Sequence, residues 1–307
     1  MKVLVTGGAG FIGSHVADLL LAREYDVVIV DNLSTGKLEN VSKEATFYKV
    51  DITSEEIKEL VRKEGIEYVV HHAAQAQVRR SLEDPVFDAK VNILGSLNLL
   101  ECCRDAKKFI YASSGGAVYG EPQYLPVDEE HPVNPLSPYG ASKYAVEKYL
   151  QIYSDVYGLG YVSLRYGNVY GPRQDPFGEA GVIAIFGGKM LRSEQPTIFG
   201  DGEQTRDFVY VEDIARANLL SMEEGNGIYN IGTGKETSVN QIFETMRQIL
   251  GVKMEADFGS PIPGEVRRIS LDASRAKAEL GWKAQVSIEK GLEKTLRYLK
   301  GEITDNP

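Results

Sequence analysis

The sequence predicts an α/β protein: a doubly wound parallel sheet with helices on both faces, joined to a smaller mixed α/β lobe. Three observations predict it. Short, nearly continuous apolar runs alternate with helical stretches through the first half, as in a sheet buried on both faces. A glycine cluster, TGGAGFIG at 6–13, follows the first run and opens the first helix. The second half is less regular, with shorter elements and two stretches rich in Gly, Pro and charge, at 171–180 and 257–268.

Taken in order, KVLVT (2–6) is the first strand, and the helical pattern after the glycines runs through Arg23. DVVIV (26–30) and TFYKV (46–50) read as further buried strands, then EYVVHHA (67–73) and KFIYASS (108–114). Helices are expected near 53–63, 86–105 and 139–157. DFVYV (207–211) and IYNIG (228–232) look like buried strands again, which would return the chain to the first sheet. No internal repeat or low-complexity tail interrupts the pattern.

Composition narrows the classes. At 307 residues the chain is long for one core, so a two-lobed unit or two domains is expected. A hydrophobic fraction of 43% and a charged fraction of 25% are ordinary for a soluble globular protein. The net charge of −10 argues against nucleic acid, which is bound by neutralising phosphates. A small anionic ligand held by a few local arginines stays open. Cys102 and Cys103 are adjacent in the helix expected at 86–105, so a disulfide between them is implausible, and nothing has metal-ligand spacing. They read as two buried thiols in a reducing compartment. The N-terminus lacks a signal-peptide layout and no apolar run could span a bilayer, so a cytoplasmic protein is expected.

The glycine cluster satisfies G-x-G-x-x-G as Gly8, Gly10 and Gly13, and G-x-x-G-x-x-G from Gly7. Alone such a match is weak; strand, glycine loop and helix at the head of a βαβ pattern make a Rossmann-type opening. Glycines let the backbone approach a pyrophosphate, and free N–H groups of the first helical turn point at it. The alternative is a tight turn without a ligand. Asp31 ends the second strand, where its carboxylate can accept hydrogen bonds from the adenosine ribose and repel the extra phosphate of NADP, favouring NAD. A strand-end turn aspartate is the plainer reading. The segment it opens, Asn32, Leu33, Ser34, Thr35 and Gly36, could wrap the adenosine. In SPYGASKYAVE (137–147), Tyr139 and Lys143 are four apart and share a helix face. An ammonium beside a phenol favours the phenolate, lowering its pKa from about 10 and making Tyr139 a usable general base. A solvated helix face is the alternative for this spacing.

The chain resembles the extended short-chain dehydrogenases/reductases, and within them the nucleotide-sugar epimerase group. The segments that carry the resemblance run nearly end to end: TGGAGFIGS, DNLSTG, HHAAQAQV, SSGGAVYG, SPYGASKYAVE, LRYGNVYGPRQDP, IFGDGEQTRDFVYVEDIA, YNIGTG and PGEVRRISLDASRAKAELGW. The resemblance implies that Phe11 and Ile12 lie by the pyrophosphate and Asp51 and Ile52 by the adenine. Ala73, Ala74 and Gln75 would line the dinucleotide cleft with Asn92 beneath it, Tyr166 would join the cofactor site, and Lys143 would hold the nicotinamide ribose. Asn168, Gly181, Val182, Thr197 and Arg206 fall at positions that bind the nucleotide diphosphate or base. The implied reaction is reversible C4 epimerisation of a UDP-sugar: Tyr139 takes the proton of the 4-hydroxyl, C4 passes a hydride to bound NAD, and the keto sugar takes it back on the opposite face. The expected division is 1–166 with 207–231 for the NAD-binding domain, and 167–206 with 232–307 for the nucleotide-sugar lobe. A homodimer pairing the helices at 86–105 and 139–157 is also implied.

Three places depart from or refine the pattern. The group carries a Ser or Thr three residues before Val-Tyr-Gly; here that place is Gly115, preceded by Ser114. In a regular strand Ser114 would point away from the face that Gly115 presents, but two following glycines could rotate the turn. Ser114 as the substrate-contacting hydroxyl is preferred over Ser114 as a backbone-bonding strand end. The arginine usual three residues before the acidic place occupied by Glu265 is Ile262. Arg267 could reach the diphosphate instead, while Arg173 is a further cation in the same half. Gly116 and Ala117 stand where related dehydratases and decarboxylases carry acids, which removes the proton-transfer tools of both. The sugar is expected to belong to the UDP-glucose/UDP-galactose pair, with the N-acetyl pair open because Ile269 occupies the gating position. A UDP-uronic acid 4-epimerase is the runner-up, and a non-catalytic NAD-sensing protein a further alternative.

Overall fold

A computed structural model describes residues 1–177, 181–262 and 266–305. Strands β1 (Lys2–Thr6), β2 (Asp26–Asp31), β3 (Thr46–Lys49), β4 (Tyr68–His71), β5 (Lys108–Ser114) and β6 (Gly160–Tyr166) form one sheet with the strand Gly227–Ile231. Its order is Gly227–Ile231, β6, β5, β4, β1, β2, β3, and every pair is parallel. The chain winds outward from β1 through β2 to β3, then crosses back to β4. A crevice therefore opens between β1 and β4 at the carboxyl ends of the strands, where α/β sheets of this order take their ligands.

The apolar runs form strands buried on both sides because consecutive side chains alternate between faces. Val3, Val5, Ile29, Ile110 and Ala112 pack with the helices Phe11–Leu21 and Val211–Glu223. Leu4, Val28, Val30, Phe109 and Tyr111 pack with the helices Glu56–Glu64, Gly95–Cys102 and Pro138–Tyr157. Cys103 is buried on this second face and Cys102 half-buried, both as free thiols. A separate core of Tyr170, Ile183, Phe186, Met190, Ile242, Met246, Leu292 and Leu296 holds the smaller lobe.

Several elements differ from the sequence expectation. Thr46–Lys49 is an edge strand and only partly buried, because it has a neighbour on one side alone. Phe208–Tyr210 pairs with Asn168–Tyr170 in a two-stranded sheet of its own, so of the two late apolar runs only 227–231 joins the main sheet. Apolar continuity does not announce β6, since YVSLRY carries Ser163 and Arg165. Both are buried, and Arg165 is neutralised by Glu147 from the Pro138–Tyr157 helix at 2.6 Å. The long helix expected at 86–105 is built of Pro85–Ala89, a π-type segment Lys90–Leu94 and Gly95–Cys102. The wider turn carries Asn92 inward, where it is buried. Among the described residues, no helix is long and apolar enough to cross a membrane.

Candidate active site

The glycine loop is built so that a ligand can lie against it. Gly7 has φ +68°, and a Cβ there would come within 2.7 Å of the Ala73 nitrogen, so the loop after β4 abuts it directly. A Cβ on Gly13 would lie 2.2 Å from the Gly7 carbonyl oxygen, so the helix start is pressed onto the loop. Gly10 caps the helix without a side-chain oxygen, which leaves the N–H groups of Phe11, Ile12 and Gly13 for an anion. This uncapped cradle fits the pyrophosphate of a dinucleotide.

Asp31 lies next to it at the end of β2, buried. Its Oδ2 accepts from the Ala9 N–H at 3.0 Å and its Oδ1 from the Leu33 N–H at 2.8 Å, so it also ties the glycine loop to the 32–36 turn. Each oxygen keeps a further lone pair. Within the turn Leu33 adopts φ +58°, Asn32 accepts from the Ser34 N–H and donates to Asp51 at 2.8 Å, and a Cβ on Gly36 would meet the Asp31 carboxylate. Thr35 belongs to the same short turn. Asp51 accepts from Thr53, and Ile52 is buried against Gly95. On the other side of the crevice Ala73 and Ala74 follow β4, and the Ala73 N–H donates to Thr6 Oγ1. Gln75 is spent on the protein: its amide donates to Gln77 O and Asp88, and its carbonyl accepts from the Gln77 N–H. Asn92 lies beneath, clasping the Gln75 main chain in both directions at 2.9 Å. Tyr166 ends β6, its ring stacked on His72 and its hydroxyl accepting from Asn218.

The Pro138–Tyr157 helix starts where Ser137 caps it and Pro138 occupies its first turn, which sets Tyr139 at the sheet end. Ser114, the last residue of β5, presents its hydroxyl to the Tyr139 phenol. Gly115 faces the other way: a Cβ there would meet Leu271 Cδ1 at 2.5 Å. Of the two neighbours it is thus Ser114, not position 115, that is turned toward Tyr139. At Gly116 a Cβ would be 3.5 Å from Asn168 Oδ1 and 4.0 Å from Ser114 Oγ, so both polar side chains approach this glycine.

Lys143 Nζ donates to the Ala112 carbonyl at 2.9 Å and stands 5.8 Å from the Tyr139 ring centre and 4.9 Å from that of Tyr111. The electrostatics correct the expectation drawn from i, i+4 spacing. Burial pushes Tyr139 up to about 12, the Ser114 hydroxyl pulls it down, and the Asp88 charge adds to the rise. Burial also lowers Lys143 to about 8, opposed by Asp88 and Glu147. Loss of water around both groups outweighs the helpful spacing.

In the smaller lobe Gly181 caps the Val182–Leu191 helix beside Gln174, with Val182 packed on the lobe core. Thr197 opens a short strand paired with 257–259. Arg206 pairs through its backbone with Thr237, and its guanidinium donates to Thr205 O. The Thr205 N–H donates to Arg267 O, so the two arginines lie on neighbouring segments. Arg267 makes a bidentate ion pair with Asp201 at 2.8 Å, both half-exposed. Arg173 is tied to Asp18 on the first helix at 2.7 Å. Ile269 is buried against Val118, Tyr119, Val127 and Leu271. Glu265 lies outside the described residues.

Sequence reasoning missed Asp207. Its buried carboxylate accepts from the N–H groups of Thr233, Gly234 and Leu271 and from the Thr233 hydroxyl, holding the end of strand Gly227–Ile231 against the lobe. An acid directly ahead of the apolar run FVYV was its one local signal.

The comparisons agree with this geometry. Residues 3–232 match the model of the NAD dependent epimerase/dehydratase family. A protein of Methanocaldococcus jannaschii is 53% identical over 300 residues, covering 97% of this chain and 98% of its own. The UDP-glucose 4-epimerase of Thermotoga maritima, solved with UDP-glucose, superposes with a TM-score of 0.97 at 51% identity, covering 99% of this chain and 100% of that one. The UDP-glucose 4-epimerase of Thermus thermophilus, solved with NAD, gives 0.94 at 46% identity, covering 98% and 99%. This chain belongs to the NAD dependent epimerase/dehydratase family.

Proposed function

We propose that the protein is an NAD-dependent 4-epimerase of UDP-sugars, acting on the UDP-glucose/UDP-galactose pair. The observation that carries the reading is the Ser114–Tyr139–Lys143 cluster at the sheet end beside the uncapped glycine loop, with Gly116 and Ala117 offering no second acid or base. NAD, when bound, supplies the reversible two-electron oxidation of the sugar at C4. The protein's share is proton transfer and position. Tyr139 takes the 4-hydroxyl proton and returns it, Ser114 hydrogen-bonds the same hydroxyl, and Lys143 as an ammonium favours the phenolate. Asn168 orients the sugar from the facing wall. Gly181, Val182, Thr197 and Arg206 hold the nucleotide, and Arg267 reaches the diphosphate by leaving Asp201, an exchange that an exposed ion pair makes at little cost.

In this reading the NAD domain comprises 1–166 and 207–231 and the sugar-nucleotide lobe the rest. The protein works as a homodimer through Val86, Leu94, Ile152 and Val156, which are 77%, 59%, 49% and 63% exposed on the 85–102 stretch and the Pro138–Tyr157 helix. Two free thiols suit a cytoplasmic location. The test is incubation with UDP-galactose, UDP-N-acetylgalactosamine and UDP-glucuronate separately, following the anomeric proton signals by NMR. UDP-galactose is expected to convert. Conversion of another donor alone would reassign the sugar, and no conversion of any would overturn the reading.

A further inference from the structure

Asp88 is fully buried in the Pro85–Ala89 helix and makes no ion pair among the described residues. Its Oδ1 accepts from Gln75 Nε2 at 3.0 Å and Asn92 Nδ2 at 2.9 Å, and its Oδ2 accepts from Ser142 Oγ at 2.7 Å. A carboxylate can accept at all three contacts without a proton of its own. A buried charge held only by neutral donors is costly unless a counter-charge is near. Ser142, which it grips, is the residue before Lys143. Gln75 belongs to the loop after β4, and Asn92 to the π-type turn. One carboxylate therefore joins the crevice loop, the 85–102 helical stretch and the helix that carries Tyr139 and Lys143.

We propose that Asp88 is a positioning residue for the Tyr139–Lys143 pair: its buried carboxylate is the counter-ion that keeps Lys143 an ammonium, and it fixes the Pro138–Tyr157 helix against the crevice loop. Glu147 acts on Lys143 in the same sense but less than Asp88 does. Glu147, on the same helix, is occupied by Arg165 of β6 through two hydrogen bonds of 3.0 and 2.6 Å. His71 and His72 at the end of β4 are held neutral by burial, and Tyr111 of β5 and Tyr139 are held as neutral phenols by burial. Asp88 is left as the charge without its own cation. It acts with the proper sign on Lys143 and with the wrong sign on Tyr139, raising both. Its role is thus to hold the lysine charged, while the base must be activated by Lys143 and the bound cofactor.

The inference rests on the proposed role of Tyr139 and Lys143, but its test needs no substrate. Asp88→Asn keeps the contacts, since the amide oxygen can still accept from Gln75 and Asn92 while its nitrogen donates to Ser142 Oγ; only the charge is lost. The Lys143 midpoint is read by NMR of 13Cε-labelled lysine between pH 6 and 10, assigned by its loss in Lys143→Met. Asp88→Asn is expected to lower that midpoint from about 8 by about half a pH unit or more. Ser142→Ala, which removes a hydrogen bond but no charge, is expected to leave it in place. An unchanged midpoint in a folded Asp88→Asn protein overturns the proposal. If that variant does not fold, Lys143→Met gives the reciprocal reading: the Asp88 carboxyl, followed by its 13Cγ signal, must titrate higher than in the parent protein, and an equal midpoint overturns the pairing. A UDP-sugar assay that fails in the parent protein while these shifts appear would reject the epimerase reading and leave the ion pair standing.

Discussion

Ser114 and Gly115 share the sheet end unequally. Leu271 fills the space a side chain at 115 would need, whereas the Ser114 hydroxyl meets the Tyr139 phenol. Ser114→Ala is therefore expected to lower kcat by about tenfold, as the loss of a hydrogen bond worth roughly 1–1.5 kcal/mol in the transition state would. Normal turnover with cofactor bound would free Ser114 of the role. Tyr139→Phe is expected to keep the fold and bind NAD but lose about 10²–10⁴-fold in turnover, the usual cost of a general base, checked by steady-state rates and by cofactor titration. The lysine sets a pH limit. Its folded pKa of about 8 lies below its ordinary 10.5, so activity that needs the ammonium should fall as pH rises through 8. Between 8 and 10.5 the unfolded chain binds the extra proton, so this group's contribution to stability rises with pH over the same window. Rates and thermal melts on one set of buffers should therefore part company there; a melt that falls with the rate would mean unfolding rather than titration.

Among the elements, the turn after β2 is organised around a single strand-end carboxylate. Asp31 binds backbone on both sides, from Ala9 and from Leu33, so its position is fixed before any ligand arrives. Asp31→Ala removes the charge that would repel a 2′-phosphate. The expected result is a weaker preference for NAD over NADP, measured as the ratio of the two dissociation constants by intrinsic fluorescence. An unchanged ratio would place discrimination elsewhere. The Pro138–Tyr157 helix is fixed at several points: Ser137 caps its start, Ser142 donates to Asp88, and Glu147 pairs with Arg165. Its chemistry depends on that anchoring, because removal of one partner from a buried pair costs about 3–5 kcal/mol.

At the scale of the molecule, the seventh strand and Asp207 bring the late chain back to the first half and hold the smaller lobe over the sheet end. Val86, Leu94, Ile152 and Val156 stand exposed on the 85–102 stretch and the Pro138–Tyr157 helix. Val156→Glu combined with Ile152→Glu should turn the proposed dimer into a monomer without unfolding it, read as a halved mass by light scattering on a sizing column. A parent protein that elutes as a monomer would remove these helices as an interface.

Much of this was legible in the chain, because its causes are local. Glycines at the β1 turn, the carboxylate at the end of β2, the apolar runs and the four-residue spacing of Tyr139 and Lys143 each act within a few residues, so composition and period reveal them. What stayed hidden depends on strand order and long separations. Strand β6 looked polar until Glu147 neutralised Arg165; Phe208–Tyr210 looked like a sheet strand but found Asn168–Tyr170 instead. Asp88 meets Ser142 across 54 residues, and Asp207 meets Leu271 across 64. The pKa values of Tyr139 and Lys143 belong to the same class. Spacing brings a phenol and an ammonium to one helix face, but the depth of burial, set by the packed sheet and helices, decides how much each charge costs.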